Sequence, residues 1–318
     1  MSETVQHHSG SLSGLGTASP GDYYALMKPR VMSLVVFTAM VGLLAAPQTI
    51  NPVLAITSIF FIAVGAGAAG ALNMWYDRDI DAVMSRTRKR PLPAGKMTPS
   101  SVLAFGIIMS FISVLGLAAA SNYLAAGLLA FTIFYYFVVY SIWLKRKTPQ
   151  NIVIGGAAGA FPPMVGWAAA GGGITSESLL LFAIILLWTP PHFWALALYK
   201  QGDYAKAGIP MMPNVKGAKS TRLQILVYAV LLVAASAFIA TTSLNSPLYM
   251  GVASLLNLAF LVLAFRVWRS KAGDKASGLD EASLYKVQLG EKTARNLFAY
   301  SIIYLFALFG AIAAGQVL

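Results

Sequence analysis

Asn73, Asp77 and Asp81 follow one another at intervals of four residues. At about 100° per residue they drift only about 80° around a helix, so all three share one face. Two carboxylates one turn apart repel each other, and beside an apolar segment the cost of ionising both rises. A hard divalent cation removes that cost. Two carboxylates and an amide oxygen suit magnesium, which keeps several waters and takes its remaining ligands from a substrate phosphate. Asp79 points to roughly the opposite side and, with Arg78, suits an interfacial pair or a helix-end contact.

The cations that follow complete the chemistry. Arg86, Arg88, Lys89, Arg90 and Lys96 lie just downstream of the acids. Pro91 and Pro93 interrupt any helix there and Gly95 permits a turn, so these cations sit on a loop able to fold back. Guanidinium forks match phosphate oxygens, and a metal beside such cations predicts a diphosphate ligand. A basic cluster next to an apolar run is also an ordinary topology signal. The acids have no topological job and mark a site more strongly.

A second segment repeats the layout. "WTPPHFWALALYKQGDYAKAGIPMMPNVKG" places Asp203 just past an apolar run, followed by Lys206, a Gly-Ile-Pro turn and Lys216. His192 precedes Asp203 by eleven residues, about three helical turns, so both can face one cavity. An intramembrane histidine is either a site residue, as a heme-iron ligand or proton carrier, or one hydrogen-bonded between helices. Pro190 and Pro191 just before it predict a kink that frees backbone carbonyls toward protein or a cavity.

The elements that must position these groups are membrane helices. The chain has 318 residues, 58% of them hydrophobic, and its apolar runs are continuous rather than alternating. Spans of about 20 residues read as Arg30–Ala46, Pro52–Trp75, Ser101–Ala120, Tyr123–Trp143, Asn151–Ala170, Leu179–Tyr199, Leu223–Thr242, Leu248–Trp268 and Leu297–Val317. The fold class is therefore an all-α polytopic bundle of nine transmembrane helices. Segments joining the spans alternate in charge, and all 23 lysines and arginines fall at Lys28 and Arg30 or on one side of the bundle. The positive-inside rule then puts the amino terminus and both acidic motifs in the cytoplasm and the carboxyl terminus outside. Net charge of +12 follows from this topology, with anionic membrane lipids as its partner and no need for nucleic acid. The chain has no cysteine, which excludes disulfide and thiolate chemistry. Residues 1–22 are Ser- and Gly-rich and read as a disordered cytoplasmic tail in which His7 and His8 are solvated; residues 23–318 read as one domain. Lys271 to Lys292 read as a solvated linker.

"NMWYDRDID" resembles the NxxxDxxxD signature of the intramembrane aromatic prenyltransferases, the UbiA superfamily. "DRDIDAVMSRTRKRPLPAG", "TPPHFWALALYKQGDYAKAGIPMMP" and "KPRVMSLVVFTAMVG" resemble its heme-farnesylating branch, and the similarity runs from about Lys28 to the last span. The resemblance implies nine helices around a central cavity and a prenyl diphosphate held by magnesium between two aspartate motifs. The first motif maps onto Asn73, Asp77 and Asp81 and the second onto Asp203, which makes these four the metal set and the three aspartates catalytic. Arg30, Arg86, Arg90, Lys200, Lys206 and His192 join Asn73 as substrate contacts. Ala207 stands where the superfamily often has another aspartate, leaving the number of metals open, with Lys200 or Lys206 available to take over charge. Farnesyl diphosphate is the implied donor and heme B the acceptor, in a bacterial plasma (inner) membrane, with heme-supply or terminal-oxidase assembly proteins as partners. The alternatives are another acceptor at the same diphosphate site, 4-hydroxybenzoate or a chlorophyll precursor, or a multi-pass transporter.

Overall fold

The computed structural model describes residues 18–274 and 291–317. Among them the secondary structure is wholly helical. The helices are α1 (Pro20–Leu26), α2 (Pro29–Ala45), α3 (Pro52–Tyr76), α4 (Arg78–Val83), α5 (Pro99–Ala120), α6 (Tyr123–Phe134), α7 (Asn151–Gly155), α8 (Ala157–Ala169), α9 (Ser176–Tyr199), α10 (Gln201–Lys206), α11 (Met212–Val215), α12 (Ala218–Phe238), α13 (Pro247–Arg269) and α14 (Glu291–Val317). α6 continues as a π-helix over Tyr135–Leu144, and α7 and α8 are joined at Gly156 into one span. Eight helices or joined helices are long and apolar enough to cross a bilayer, and α1 with α2, bent by 58°, completes a ninth span as a pair. This is the bundle expected from the sequence.

Local signals place the helix starts. Proline occupies the first turn of α2, α3, α5 and α13, where its missing N–H costs nothing. Asn51, Thr98, Asn122, Thr175 and Ser246 cap α3, α5, α6, α9 and α13 by accepting from first-turn N–H groups. α9 stays helical through Pro190 and Pro191, with Thr189 Oγ1 donating to Ile185 O. Two expectations are corrected. The amino-terminal tail ends earlier than residue 22, since Ser19 and Asp22 form a capping box that opens α1. Residues 1–17 of that tail and 275–290 of the expected linker lie outside the described residues; the start of the linker is not wholly solvated, since Ala272 is buried and Asp274 pairs with Arg222 at 2.7 Å.

α3 packs along α5, α2 along α8, and α14 against α9, α13 and α2, so the last span closes the bundle onto the first. Without a hydrophobic force between helices in lipid, close packing depends on small residues. α3 supplies them in the run Gly65, Gly67, Ala68, Ala69, Gly70 and Ala71, all buried. The closest approach is between α2 and α8. A Cβ at Gly166 would lie 1.9 Å from Ala39 O, and one at Gly42 would lie 2.0 Å from Pro163 O. Large apolar side chains instead face outward, Phe60, Phe111, Leu115, Leu255 and Ile303 among them, as a lipid-facing surface requires. The short helices α1, α4, α10 and α11 gather with the charged loops, away from the apolar middle of the spans.

Candidate active site

α3 ends at Asp77, whose backbone (φ −86°, ψ 9°) separates it from α4. The turn-by-turn ladder nevertheless passes through: Asp77 N donates to Asn73 O at 2.9 Å and Asp81 N to Asp77 O at 2.8 Å. Asn73, Asp77 and Asp81 are all buried. Burying two carboxylates demands compensation, and the structure supplies it from three directions. Lys145, at the end of the π-helix, pairs with Asp77 Oδ2. Arg90 Nη1 donates to Asp81 Oδ2 at 2.6 Å. Lys28 Nζ donates to Asn73 Oδ1 at 2.6 Å, and Asn73 Nδ2 in turn donates to Asp77 Oδ2 at 2.8 Å and to Ser141 Oγ at 2.9 Å.

Lys28 reaches this position through a strained backbone. It is the one non-glycine residue with positive φ among the described residues (φ 53°, ψ 59°), a conformation that costs about 1–2 kcal/mol for an L-residue. It forms the bend between α1 and α2. A strained lysine over the acidic face is a feature of function rather than of stability.

Saturation of the two Asp77 oxygens is unequal. Oδ2 takes both Asn73 and Lys145, while Oδ1 is buried without a hydrogen-bond donor. A buried, unpartnered carboxylate oxygen beside a second carboxylate and an amide oxygen fits one hard cation that takes its other ligands from water or substrate. Among the described residues no three Asp, Glu or His side chains gather into a metal-ligand set. Asp203 therefore stands apart from Asp77 and Asp81. Its Oδ2 accepts from Ser85 Oγ at 2.7 Å, which ties α10 to the loop after α4 and brings the two acidic segments face to face.

The remaining expected contacts divide. Arg90 is on the site, and Lys206 lines a cleft of about 310 Å³ together with Asp79, Ile80, Val83, Arg146, Ala207 and Gly208. Arg30, Arg86 and Lys200 are exposed and make no side-chain hydrogen bond or ion pair with the described residues. Asp79 pairs with Arg146, not with Arg78, which donates to Trp75 O at 2.9 Å. The Arg146 hydrogen bonds hold the Asp79 carboxyl below its usual range. Lys28, Ser85, Ser141, Lys145 and Arg146 are the site residues that the motifs alone did not single out.

His192 is also buried, stacked between Trp188 (ring centroids 4.3 Å apart) and Phe298 (4.6 Å). Its Nδ1 is 2.7 Å from Ser301 Oγ, which is 2.6 Å from Phe298 O. With the hydroxyl donating to Phe298 O, it accepts from Nδ1–H and the lone pair falls on Nε2; with the hydroxyl turned to Nδ1, the tautomer reverses. The first is the tautomer in which Nε2 can ligate a metal.

Comparison with known proteins agrees with this architecture. The model of the UbiA prenyltransferase family matches residues 34–280. A protein of Maricaulis maris named protoheme IX farnesyltransferase is 60% identical over 310 residues, 97% of this chain and 93% of its own. Proteins of the same name from Caulobacter vibrioides and Dinoroseobacter shibae are 57% and 55% identical, over 93% and 100% of this chain and 91% and 97% of their own. Among solved structures, a digeranylgeranylglyceryl phosphate synthase superposes with a TM-score of 0.72 at 16% identity, covering 93% of this chain and 98% of its own. A UbiA homolog from Archaeoglobus fulgidus bound to DMAPP and Mg2+ gives 0.64 at 16% identity, covering 89% and 99%. With the family model over most of its length and relatives above half identity from end to end, the chain belongs to the UbiA prenyltransferase family.

Proposed function

We propose that this protein transfers a farnesyl group from farnesyl diphosphate to the vinyl group of heme B, with addition of water, at the cytoplasmic face of a bacterial plasma membrane. The observation that carries the diphosphate half is Asp77 Oδ1, buried without a hydrogen-bond donor, while Lys28, Lys145 and Arg90 engage Asn73, Asp77 Oδ2 and Asp81 around it. The acceptor half is supported by the relatives named protoheme IX farnesyltransferase.

Asp77, Asp81 and Asn73 would hold one magnesium ion, with Asp203 on the facing segment, tied to Ser85. When bound, it supplies positive charge to the diphosphate oxygens. Lys145, Arg90 and Lys28 already stand over that space and donate to the same oxygens as charge accumulates on them. The allylic C–O bond breaks and the diphosphate leaves with the electron pair. The heme vinyl π pair forms the new C–C bond, and water adds to the resulting cation and releases a proton. Trp188, Phe298 and Phe193 around His192 form an apolar wall that keeps water from the farnesyl carbon first. His192 Nε2 would hold the acceptor by its iron. Of Lys200 and Lys206, Lys206 is the better stand-in for a second metal, because it lines the cleft next to Ala207.

Mass spectrometry of membranes containing the protein, given heme B, farnesyl diphosphate and magnesium, tests this directly. The expected product is a hydroxyethylfarnesylated heme. Farnesylated 4-hydroxybenzoate or a prenylated chlorophyll precursor in parallel incubations, with heme unmodified, would replace the acceptor.

A further inference from the structure

Arg146 stands between two carboxylates. Its Nη1 and Nη2 each donate to an Asp79 oxygen at 2.7 Å, while Nη2 is 3.8 Å from Asp77 Oδ1. Nη2 also donates to Tyr76 O at 3.2 Å, and the guanidinium carbon lies 4.8 Å from the centre of the Tyr76 ring. The fork–fork pair with Asp79, the backbone carbonyl and the ring therefore fix the guanidinium from one side. At 3.8 Å the remaining contact is too long for a hydrogen bond. The consequence falls on Asp77 Oδ1, a fully buried oxygen with no hydrogen-bond donor.

From this geometry we infer that Asp79 is a positioning residue: it holds Arg146 back from Asp77 Oδ1 and so keeps that oxygen free for the metal. The inference rests on the reading of Asp77 as a metal ligand. Removing the charge of Asp79 leaves Arg146 with one buried anion in reach. A shift of roughly 1 Å brings Nη2 within hydrogen-bonding distance of Oδ1. A guanidinium seated there competes with a divalent cation both for the lone pairs and for the charge. Asp79 itself is exposed and touches no member of the acidic face, so it acts only through Arg146. The arrangement also accounts for three acids so close together having two different kinds of partner: Asp77 and Asp81 face inward to the site, and Asp79 faces a loop cation.

The experiment is a double-mutant cycle read by Mn2+ binding, followed by electron paramagnetic resonance on the full chain in detergent without prenyl diphosphate or heme. Asp79→Asn should weaken Mn2+ binding by about tenfold, the size of one charge-assisted hydrogen bond. Arg146→Gln should bind Mn2+ at least as well as the unaltered protein, and Asp79→Asn combined with Arg146→Gln should recover that affinity. A purely structural role for Asp79 predicts no recovery, since the double variant loses the same pair. Equal Mn2+ affinity in Asp79→Asn, or a double variant as weak as the single, overturns the inference. Mn2+ binding that is unchanged in Asp77→Ala overturns instead the reading of Asp77 as ligand. The two failures are thus distinct. If Asp79→Asn is poorly folded by circular dichroism, Asp79→Ser in the same cycle gives the same comparison.

Discussion

At the scale of residues, the question is which cations act on substrate and which only mark the cytoplasmic side. Lys145 and Lys89 separate the two roles. Lys145 pairs with a fully buried carboxylate, whereas Lys89 is exposed on the loop. Lys145→Ala should lower kcat by about a hundredfold or more, the usual cost of removing one positioned donor to a developing anion. Lys89→Ala should stay within about twofold. Product formation at saturating heme B and farnesyl diphosphate measures both, and equal losses would dissolve the distinction. Asp77→Ala and Asp81→Ala should abolish turnover, as should chelation of magnesium in the unaltered protein; normal farnesylation in either variant removes the acidic face from the mechanism. His192→Ala should weaken heme binding in an absorbance titration, and unchanged affinity would leave His192 a packing residue between α9 and α14. The acidic face was legible because a spacing of four survives any local helix, even one interrupted at Asp77. Lys28 and Lys145 were not. Their roles depend on which helix end meets which, and a basic residue beside a span carries the same topological signature whether or not it turns inward.

At the scale of elements, the site is only as well placed as the helices beneath it. α3 leads into α4 to carry the acidic face, Lys28 caps the start of α2, and α2 is locked to α8 through Gly42 and Gly166. A methyl at Gly166 meets the backbone of Ala39, which cannot rotate away as a side chain could. Gly166→Ala should therefore cost about 1–3 kcal/mol or more, as overpacking does. Gly159→Ala in the same helix meets nothing within 4 Å and should be neutral or slightly stabilising. Thermal unfolding in detergent compares them, and a Gly159 variant as unstable as the Gly166 variant would refute the packing argument. The spans themselves were readable from continuous apolar runs, because a bilayer allows little else. The π-helix over Tyr135–Leu144 was not readable, since its apolar composition suits any helix. Its wider ring lets Ser141 Oγ donate to Tyr136 O, five residues back, while accepting from Asn73.

At the scale of the molecule, the two acidic segments must face the same compartment for Ser85 and Asp203 to meet, as they do. That contact puts the two loops on one side of the membrane, and the distribution of all 23 basic residues is the ground for proposing that this side is the cytoplasm. The absence of cysteine makes the assignment testable without background, because each introduced thiol is the only one in the chain. Lys89→Cys reports the loop after α4, and Thr49→Cys and Ser246→Cys report the loops between α2 and α3 and before α13. In intact cells a membrane-impermeant maleimide should label Thr49→Cys and Ser246→Cys and spare Lys89→Cys; permeabilisation should expose the third. Labelling of Lys89→Cys alone in intact cells would invert the molecule and put the diphosphate site outside. An inverted site would also face a compartment without the charged, soluble end of the prenyl donor. Retained farnesylation together with that labelling pattern would therefore require the cytoplasmic assignment, and not the chemistry, to be given up.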